Sequence, residues 1–256
     1  MDNFLIDTHS HIDMPDFETD LASIINNATK AEVKRIVIPS VDANSFEKIL
    51  CLCNKYENVY CALGIHPSEA HNAKDEDFEK IIKLSESKKV IAIGECGLDY
   101  YWDKTFIEEQ KAVFLKQIKI ANSLKKALIV HDREAHKDTF DILCQNVKDI
   151  PVVMHCFSGS LEFANECIKK GFYIALGGVV TFKNAKKAHE VAKSIPLEYL
   201  LLETDAPYLT PEPYRGKRNE PAYVKIVAQK IAELRECSFE EVTEATTQNA
   251  RLIFNF

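Results

Sequence analysis

Eight short β-branched or leucine-rich runs recur along the chain, and each of the first seven leads into a stretch with helical periodicity. That alternation leaves few architectures open, because consecutive strands separated by helices must run parallel. The runs are Phe4 to Ile6, Arg35 to Pro39, Val59 to Leu63, Val90 to Ile93, Ala127 to Val130, Val152 to Met154, Phe172 to Leu176 and Tyr199 to Leu202. Helices are predicted between them over Asp20 to Lys30, Ser45 to Tyr56, Asp75 to Ser87, Ile107 to Lys125, Glu134 to Val147, Leu161 to Lys169 and Ala185 to Lys193. In the first of these, Leu21, Ile24, Ile25 and Ala28 share one side, as in a surface helix docked on a core. In the fourth, Ile107, Phe114, Ile118 and Ala121 do the same, with Glu108 and Glu109 in the first turn and Lys125 and Lys126 at the end, matching the helix dipole. A chain of 256 residues is close to the length at which one α/β barrel closes. The reading is therefore an α/β fold, a slightly distorted eight-stranded parallel (β/α)8 TIM barrel spanning residues 1–256 as one domain. An open doubly wound sheet is the rival, but no glycine fingerprint follows the first run. Beyond the last strand come a proline-rich loop, Thr210 to Pro213, a helix from Glu220 to Leu234, and an extra C-terminal helix starting at Ser238, where Ser238 and Glu241 have capping-box spacing.

A formal charge of -7 argues against a protein that coats nucleic acid through bulk positive charge, so any anionic substrate must be held locally. The N-terminus enters a strand with no basic leader or apolar signal core, and no apolar run is long enough to cross a bilayer. The expected location is cytoplasmic. Eight cysteines are scattered, and Cys51 and Cys53 match neither a zinc-ribbon nor a thioredoxin spacing, which favours reduced thiols.

Polar residues fall where the strands end. His9 and His11, one residue apart on an extended backbone, leave the same face. His66 lies past the third run, Glu95 past the fourth, His131 and His155 end the fifth and sixth, and Asp205 follows the eighth. In a parallel barrel these ends share one rim, where active sites of this architecture are built. Four histidines (His9, His11, His131, His155) and two carboxylates (Glu95, Asp205) are too many ligands for one tetrahedral ion but suit two ions sharing a carboxylate. Each has a plainer alternative taken singly: a hydrogen-bonded rim histidine, a salt-bridged Glu95, a turn aspartate at Asp205. Coincidence at five strand ends is the harder explanation. His71, His136 and His189 fall away from strand ends and are read as solvated surface.

With these residues in place, the chain resembles the TatD family of metal-dependent deoxyribonucleases, within the amidohydrolase-like superfamily. The resemblance runs end to end, on Asp7-Thr8-His9-Ser10-His11, Gly64-Ile65-His66-Pro67, Gly94-Glu95-Cys96-Gly97-Leu98-Asp99-Tyr100, His131-Asp132-Arg133-Glu134-Ala135, His155-Cys156-Phe157-Ser158-Gly159, Glu203-Thr204-Asp205-Ala206-Pro207-Tyr208-Leu209 and Arg218-Asn219-Glu220-Pro221. It implies that His9, His11 and Asp205 hold one metal, that His131 and His155 hold a second, and that Glu95 bridges them. It also implies substrate-facing roles for His66, Arg133, Arg218 and Asn219. The alternative for Asn219 is an N-cap before Pro221. Cys96 and Cys156, beside ligands, would support or pack without coordinating.

Two divalent ions would set about four positive charges against about two negative ones on Glu95 and Asp205, a local surplus able to attract a phosphodiester. A metal-activated water would attack phosphorus with Asp205, ligand and catalytic base, taking its proton. The expected partner is DNA or an oligonucleotide, cut at ends or as single strands, with no membrane and no obligate protein partner. Lys183, Lys186, Lys187, Arg215, Lys217 and Arg218 are candidates to guide a strand, though Lys186 and Lys187 read more simply as solvated lysines. The metals are zinc, manganese, iron or magnesium. Two other readings stay open: hydrolysis of an aminoacyl ester or cyclic amide by the same dinuclear site, and a non-catalytic metal-binding protein.

Overall fold

Buried parallel strands need apolar residues on both faces, and the eight runs supply them. In the computed structural model, which describes residues 4–102 and 104–256, they form one sheet with strands in sequential order. These are β1 (Leu5–Asp7), β2 (Val33–Pro39), β3 (Val59–Leu63), β4 (Val90–Asp99), β5 (Ala127–Arg133), β6 (Val152–Met154), β7 (Tyr173–Leu176) and β8 (Leu200–Leu202). Every neighbouring pair is parallel, with registers such as Asp7 opposite Ile36 and Leu176 opposite Leu202. Closure joins β8 to β1. Thr8 N donates to Leu202 O at 3.1 Å, Asp205 N donates to His9 O at 2.9 Å, and Ser10 and Ala206 form a parallel bridge. The buried Asp7 carboxylate locks the seam by accepting from Thr204 N at 2.9 Å and Thr204 Oγ1 at 2.6 Å.

The helices are α1 (Leu21–Lys30), α2 (Phe46–Lys55), α3 (Asp75–Leu84), α4 (Ile107–Leu124), α5 (His136–Asn146), α6 (Leu161–Lys169), α7 (Lys186–Ser194), α8 (Val224–Arg235) and α9 (Phe239–Phe254). Strand residues divide between two cores by the period of two. Leu5, Ile36, Ile38, Leu63 and Leu128 pack outward against helix residues such as Ile24, Phe46 and Phe114. Ile6, Val37, Ala62, Ile129, Ala175 and Leu201 point inward, and Ile253 and Phe254 of α9 seal their end of the barrel. Fully burying such side chains is worth about 1.5–3 kcal/mol each. With that end plugged, the opposite mouth, at the C-terminal ends of the strands, is the one left for chemistry. The C-terminal helix begins as its sequence requires, Ser238 Oγ accepting from Glu241 N at 3.1 Å.

The structure departs from the sequence reading most in β4, which continues past Ile93 to Asp99 and so contains Glu95. Ile93 pairs with Leu128 but Cys96 with Val130, so one extra residue is accommodated in β4 and the strand is re-aimed there. The glycines that interrupt the apolar pattern are what permit this close pairing. A Cβ on Gly97, at φ +145°, would lie 2.0 Å from the His131 carbonyl oxygen. β5 likewise extends to Arg133, opposite Asp99. The helix expected from Glu220 instead begins as a 3-10 turn over Pro221–Tyr223 before α8. None of the eight cysteines is in a disulfide. Among the described residues no helix is long and apolar enough to cross a membrane.

Candidate metal centre

The seam between β8 and β1 brings His9, His11 and Asp205 together, and the bulge in β4 aims Glu95 at them. His9 Nε2 and His11 Nε2 lie 3.2 Å apart. Glu95 Oε2 is 3.1 Å from the first and 3.7 Å from the second, and Asp205 Oδ1 is 3.9 and 3.6 Å away. Tetrahedral coordination at the usual zinc distances separates ligand atoms by about 3.3–3.6 Å. The observed spacings bracket that value. The other oxygen, Glu95 Oε1, faces a different set: His131 Nδ1 at 2.8 Å, His155 Nε2 at 3.5 Å and His66 Nε2 at 3.7 Å. One carboxylate, only 3% exposed, thus presents an oxygen to each of two nitrogen-rich groups.

The histidines of the second group are held by carboxylates on their far sides. His131 Nε2 lies 2.9 Å from Asp99 Oδ2 and His155 Nδ1 lies 3.0 Å from Glu203 Oε2. A carboxylate behind an imidazole fixes its orientation and strengthens it as a ligand. Glu203 also accepts from Cys156 N at 2.7 Å, and Cys156 and Asp205 both adopt positive φ, 44° and 57°. Strained backbone of that kind collects where side chains must be aimed. Two buried glutamines of α4 clamp the strand ends: Gln117 accepts from Ile65 N and donates to Ile65 O, and Gln110 does the same for Asp99.

A family model described as TatD related DNase matches residues 6–255 of this chain. The chain belongs to the TatD family. A relative from Bacillus subtilis, the uncharacterized metal-dependent hydrolase YabD, is 47% identical over 251 residues and covers 98% of both chains. The uncharacterized metal-dependent hydrolase YcfH of Escherichia coli is 36% identical over 256 residues, covering 98% of this chain and 96% of its own. The crystal structure of YjjV, a TatD homologue from Escherichia coli, superposes with a TM-score of 0.93 at 33% identity over 98% of each chain. These likenesses place the chain among the metal-dependent hydrolases of the TatD family.

Among the described residues, donor atoms converge in His9, His11 and Asp205 and again in His66, Glu95 and His131, with His155 reaching His9 and Asp205, and these imidazole nitrogens and carboxylate oxygens fit such ions. Without metal, the buried carboxylates of this TatD-family site hold protons on two of its histidines. Burial opposes ionisation of Glu95, yet His155, His9 and His131 hold its carboxyl well below the usual range. Burial likewise opposes protonation of His155, but Glu203 and Glu95 raise it to about 10. His131 rises to about 9 against its own burial because Asp99 and Glu95 sit at hydrogen-bond distance. Burial lowers His11 to about 4 and His66 to about 3. Protons on His131 and His155 therefore stand where metals would supply charge, and metal must displace them. Raised histidine values mean the competing proton is held below about pH 9 on His131 and about pH 10 on His155, and lost above those values. Metal affinity is expected to rise with pH through the neutral range, with up to about two protons released per protein loaded. Calorimetric titration in buffers of different ionisation enthalpy measures that release.

The remaining candidates separate. His66 and Arg133 line the cavity of about 1210 Å³ that opens over Glu95, His131, His155 and Asp205. Asn219 does not face it, contrary to the substrate-facing expectation: its side chain is fully buried, donating to Thr204 O at 2.8 Å and Tyr208 O at 2.6 Å, so it braces the loop carrying Asp205. It also does not cap a helix, since the turn beginning at Pro221 is preceded by Glu220 with no side-chain cap. Arg218 is likewise absent from the cavity wall. It pairs with Asp20 at 2.6 Å, donates to Asp16 O and stacks over Phe17. Lys186 and Lys187, read as merely solvated, line the cavity. His136 is also no plain surface residue, lying on the wall 2.7 Å from Asp132, while His189 is half-buried with Nε2 2.9 Å from Val180 O. His71 is exposed and stacks on Phe106.

Proposed function

We propose that the chain hydrolyses phosphodiester bonds of DNA, acting on single strands or strand ends, with two divalent cations. The observation that carries this reading is the buried Glu95, whose two oxygens face two separate sets of histidines. His9, His11, Asp205 and one Glu95 oxygen would hold one cation, and His131, His155 and the other Glu95 oxygen the second. Bound there, zinc, manganese, iron or magnesium would acidify a water and offset phosphate charge.

The protein's own groups supply the rest. Asp205 is raised to about 7, by burial first and by Glu95 and Glu203 next, against the pull of His155. Bound cations would lower that value and leave Asp205 ionised at neutral pH, as a base that takes a proton from the attacking water must be. His66 and Arg133 line the approach and can donate to phosphate oxygens. Lys186 and Lys187, on the same wall, offset the acidic balance of the chain locally. The cavity exceeds the roughly 300–1,000 Å³ of small-molecule sites, which favours a short length of strand over a mononucleotide. The test is an assay of metal-reconstituted protein on end-labelled single-stranded and duplex DNA, beside aminoacyl-ester and cyclic-amide substrates. Stepwise shortening of the single strand, abolished by chelator, is expected. Intact DNA with turnover of an ester or amide would overturn the assignment.

A further inference from the structure

We propose that Tyr101, Trp102 and Arg133 form a stacking subsite that seats one unpaired nucleobase beside the scissile phosphate. The inference rests on the phosphodiesterase reading and adds to it the part of the strand that the protein grips. Trp102 is 75% exposed and Tyr101 50% exposed, large apolar surfaces left open to solvent on a wall of the catalytic cavity. Their backbone is nonetheless anchored. Both backbone N–H groups donate to Asp99 Oδ1, at 2.9 Å from Tyr101 and 3.1 Å from Trp102. The other oxygen of the same carboxylate holds His131 at 2.9 Å. The aromatic pair is therefore tied to the centre through a single side chain, and Gln110 clamps the Asp99 peptide behind it.

Arg133 completes the group. Its guanidinium carbon lies 4.3 Å from the Tyr101 ring centre and 5.5 Å from that of Trp102. The two rings meet edge to face, 5.0 Å apart at 86°, so a base stacked on one is bordered by the other. Exposed π-faces with an adjacent cation match a strand that alternates flat bases with phosphates. Every base has such a face, so the subsite is tolerant of sequence. A paired base in duplex is already stacked and must first be extracted, so the same subsite discriminates in favour of single strands and frayed ends.

Trp102 is the only tryptophan in the chain, so fluorescence excited at the red edge, where its nine tyrosines do not absorb, reports on this position alone. The experiment titrates metal-loaded full-length protein with a short phosphorothioate oligothymidylate and with an abasic strand of the same length and linkage. Saturable quenching by the first is expected, with about tenfold or weaker binding and no quenching for the second. In cleavage assays Trp102→Ala should raise KM for single-stranded DNA about tenfold with kcat and metal content little changed, and Trp102→Phe should restore KM. Both variants keep the backbone donor to Asp99, so a merely structural role would not separate them. Oligothymidylate binding without quenching, equal binding of the abasic strand, or wild-type KM in Trp102→Ala would overturn the subsite. If DNA is still cut in those cases the nuclease assignment survives; metal-loaded protein that neither binds nor cuts oligonucleotides takes both down.

Discussion

Glu95→Ala is expected to lower kcat/KM on single-stranded DNA by about a thousandfold or more and to strip bound metal, while the barrel stays folded. The magnitude follows from position. The two Glu95 oxygens are within 3.7 Å of the nitrogens of both histidine groups, so one truncation would remove a ligand from each of the two proposed cations. Losing even a residue that only orients a metal ligand costs about 10–100-fold. Losing a shared ligand removes both the charge that gathers the cations and the activated water that depends on them. The fold should survive because β4 is anchored by its apolar residues, Ala92 and Ile93 among them, and by pairing on both sides. Elemental analysis, circular dichroism and a cleavage assay on one preparation check all three parts. Full activity in the metal-depleted variant would remove the bridging role from Glu95.

Asp205→Asn separates proton transfer from metal binding. Asparagine keeps the shape and an oxygen near His9 and His11 but cannot hold a proton at neutral pH. At least one cation should remain bound, with kcat lowered about 10²–10⁴-fold, the range typical of a general base. The pH profile gives a second, independent readout. A base must be ionised to act, so wild-type activity falls as pH drops through the Asp205 pKa, which is about 7 in the protein without metal. Cations alongside lower that value, so the acid limb of the loaded enzyme lies below about pH 7. In the asparagine variant, kept saturated with metal at every pH so that proton competition at His131 and His155 does not contribute, that limb should disappear. An unchanged rate would clear Asp205 of the proton transfer.

Much of this was legible in the sequence because buried parallel strands announce themselves as apolar runs, and a rim residue stands just beyond six of the eight. The shared rim of His9, His11, His131, His155 and Asp205 follows from that rule together with the period of two, whereas the aim of Glu95 comes from the bulge in β4. What was not legible depends on side-chain direction. Arg218 and Asn219 are adjacent in sequence, yet one turns out to Asp20 and the other inward to Thr204 and Tyr208 carbonyls. The extension of β4 was hidden because Gly94 and Gly97 interrupt the apolar run that ends at Ile93, whereas here they allow β4 and β5 to approach. Asp99 and Glu203 stood within recognised motifs, but nothing in their spacing showed that each backs a histidine. Gln110 and Gln117 did carry a signal: polar residues seven apart on the apolar face of α4, bracketing Phe114, are costly to bury without specific partners.

The most direct test is an anomalous-difference map from crystals of the metal-loaded protein, recorded at the absorption edge of the ion found by elemental analysis. Two peaks are expected on either side of the Glu95 carboxylate, one bounded by His9, His11 and Asp205 and the other by His131 and His155. A metal-loaded crystal with no peak touching Glu95, or with its ions bound elsewhere on the chain, would contradict a dinuclear centre at this mouth of the barrel.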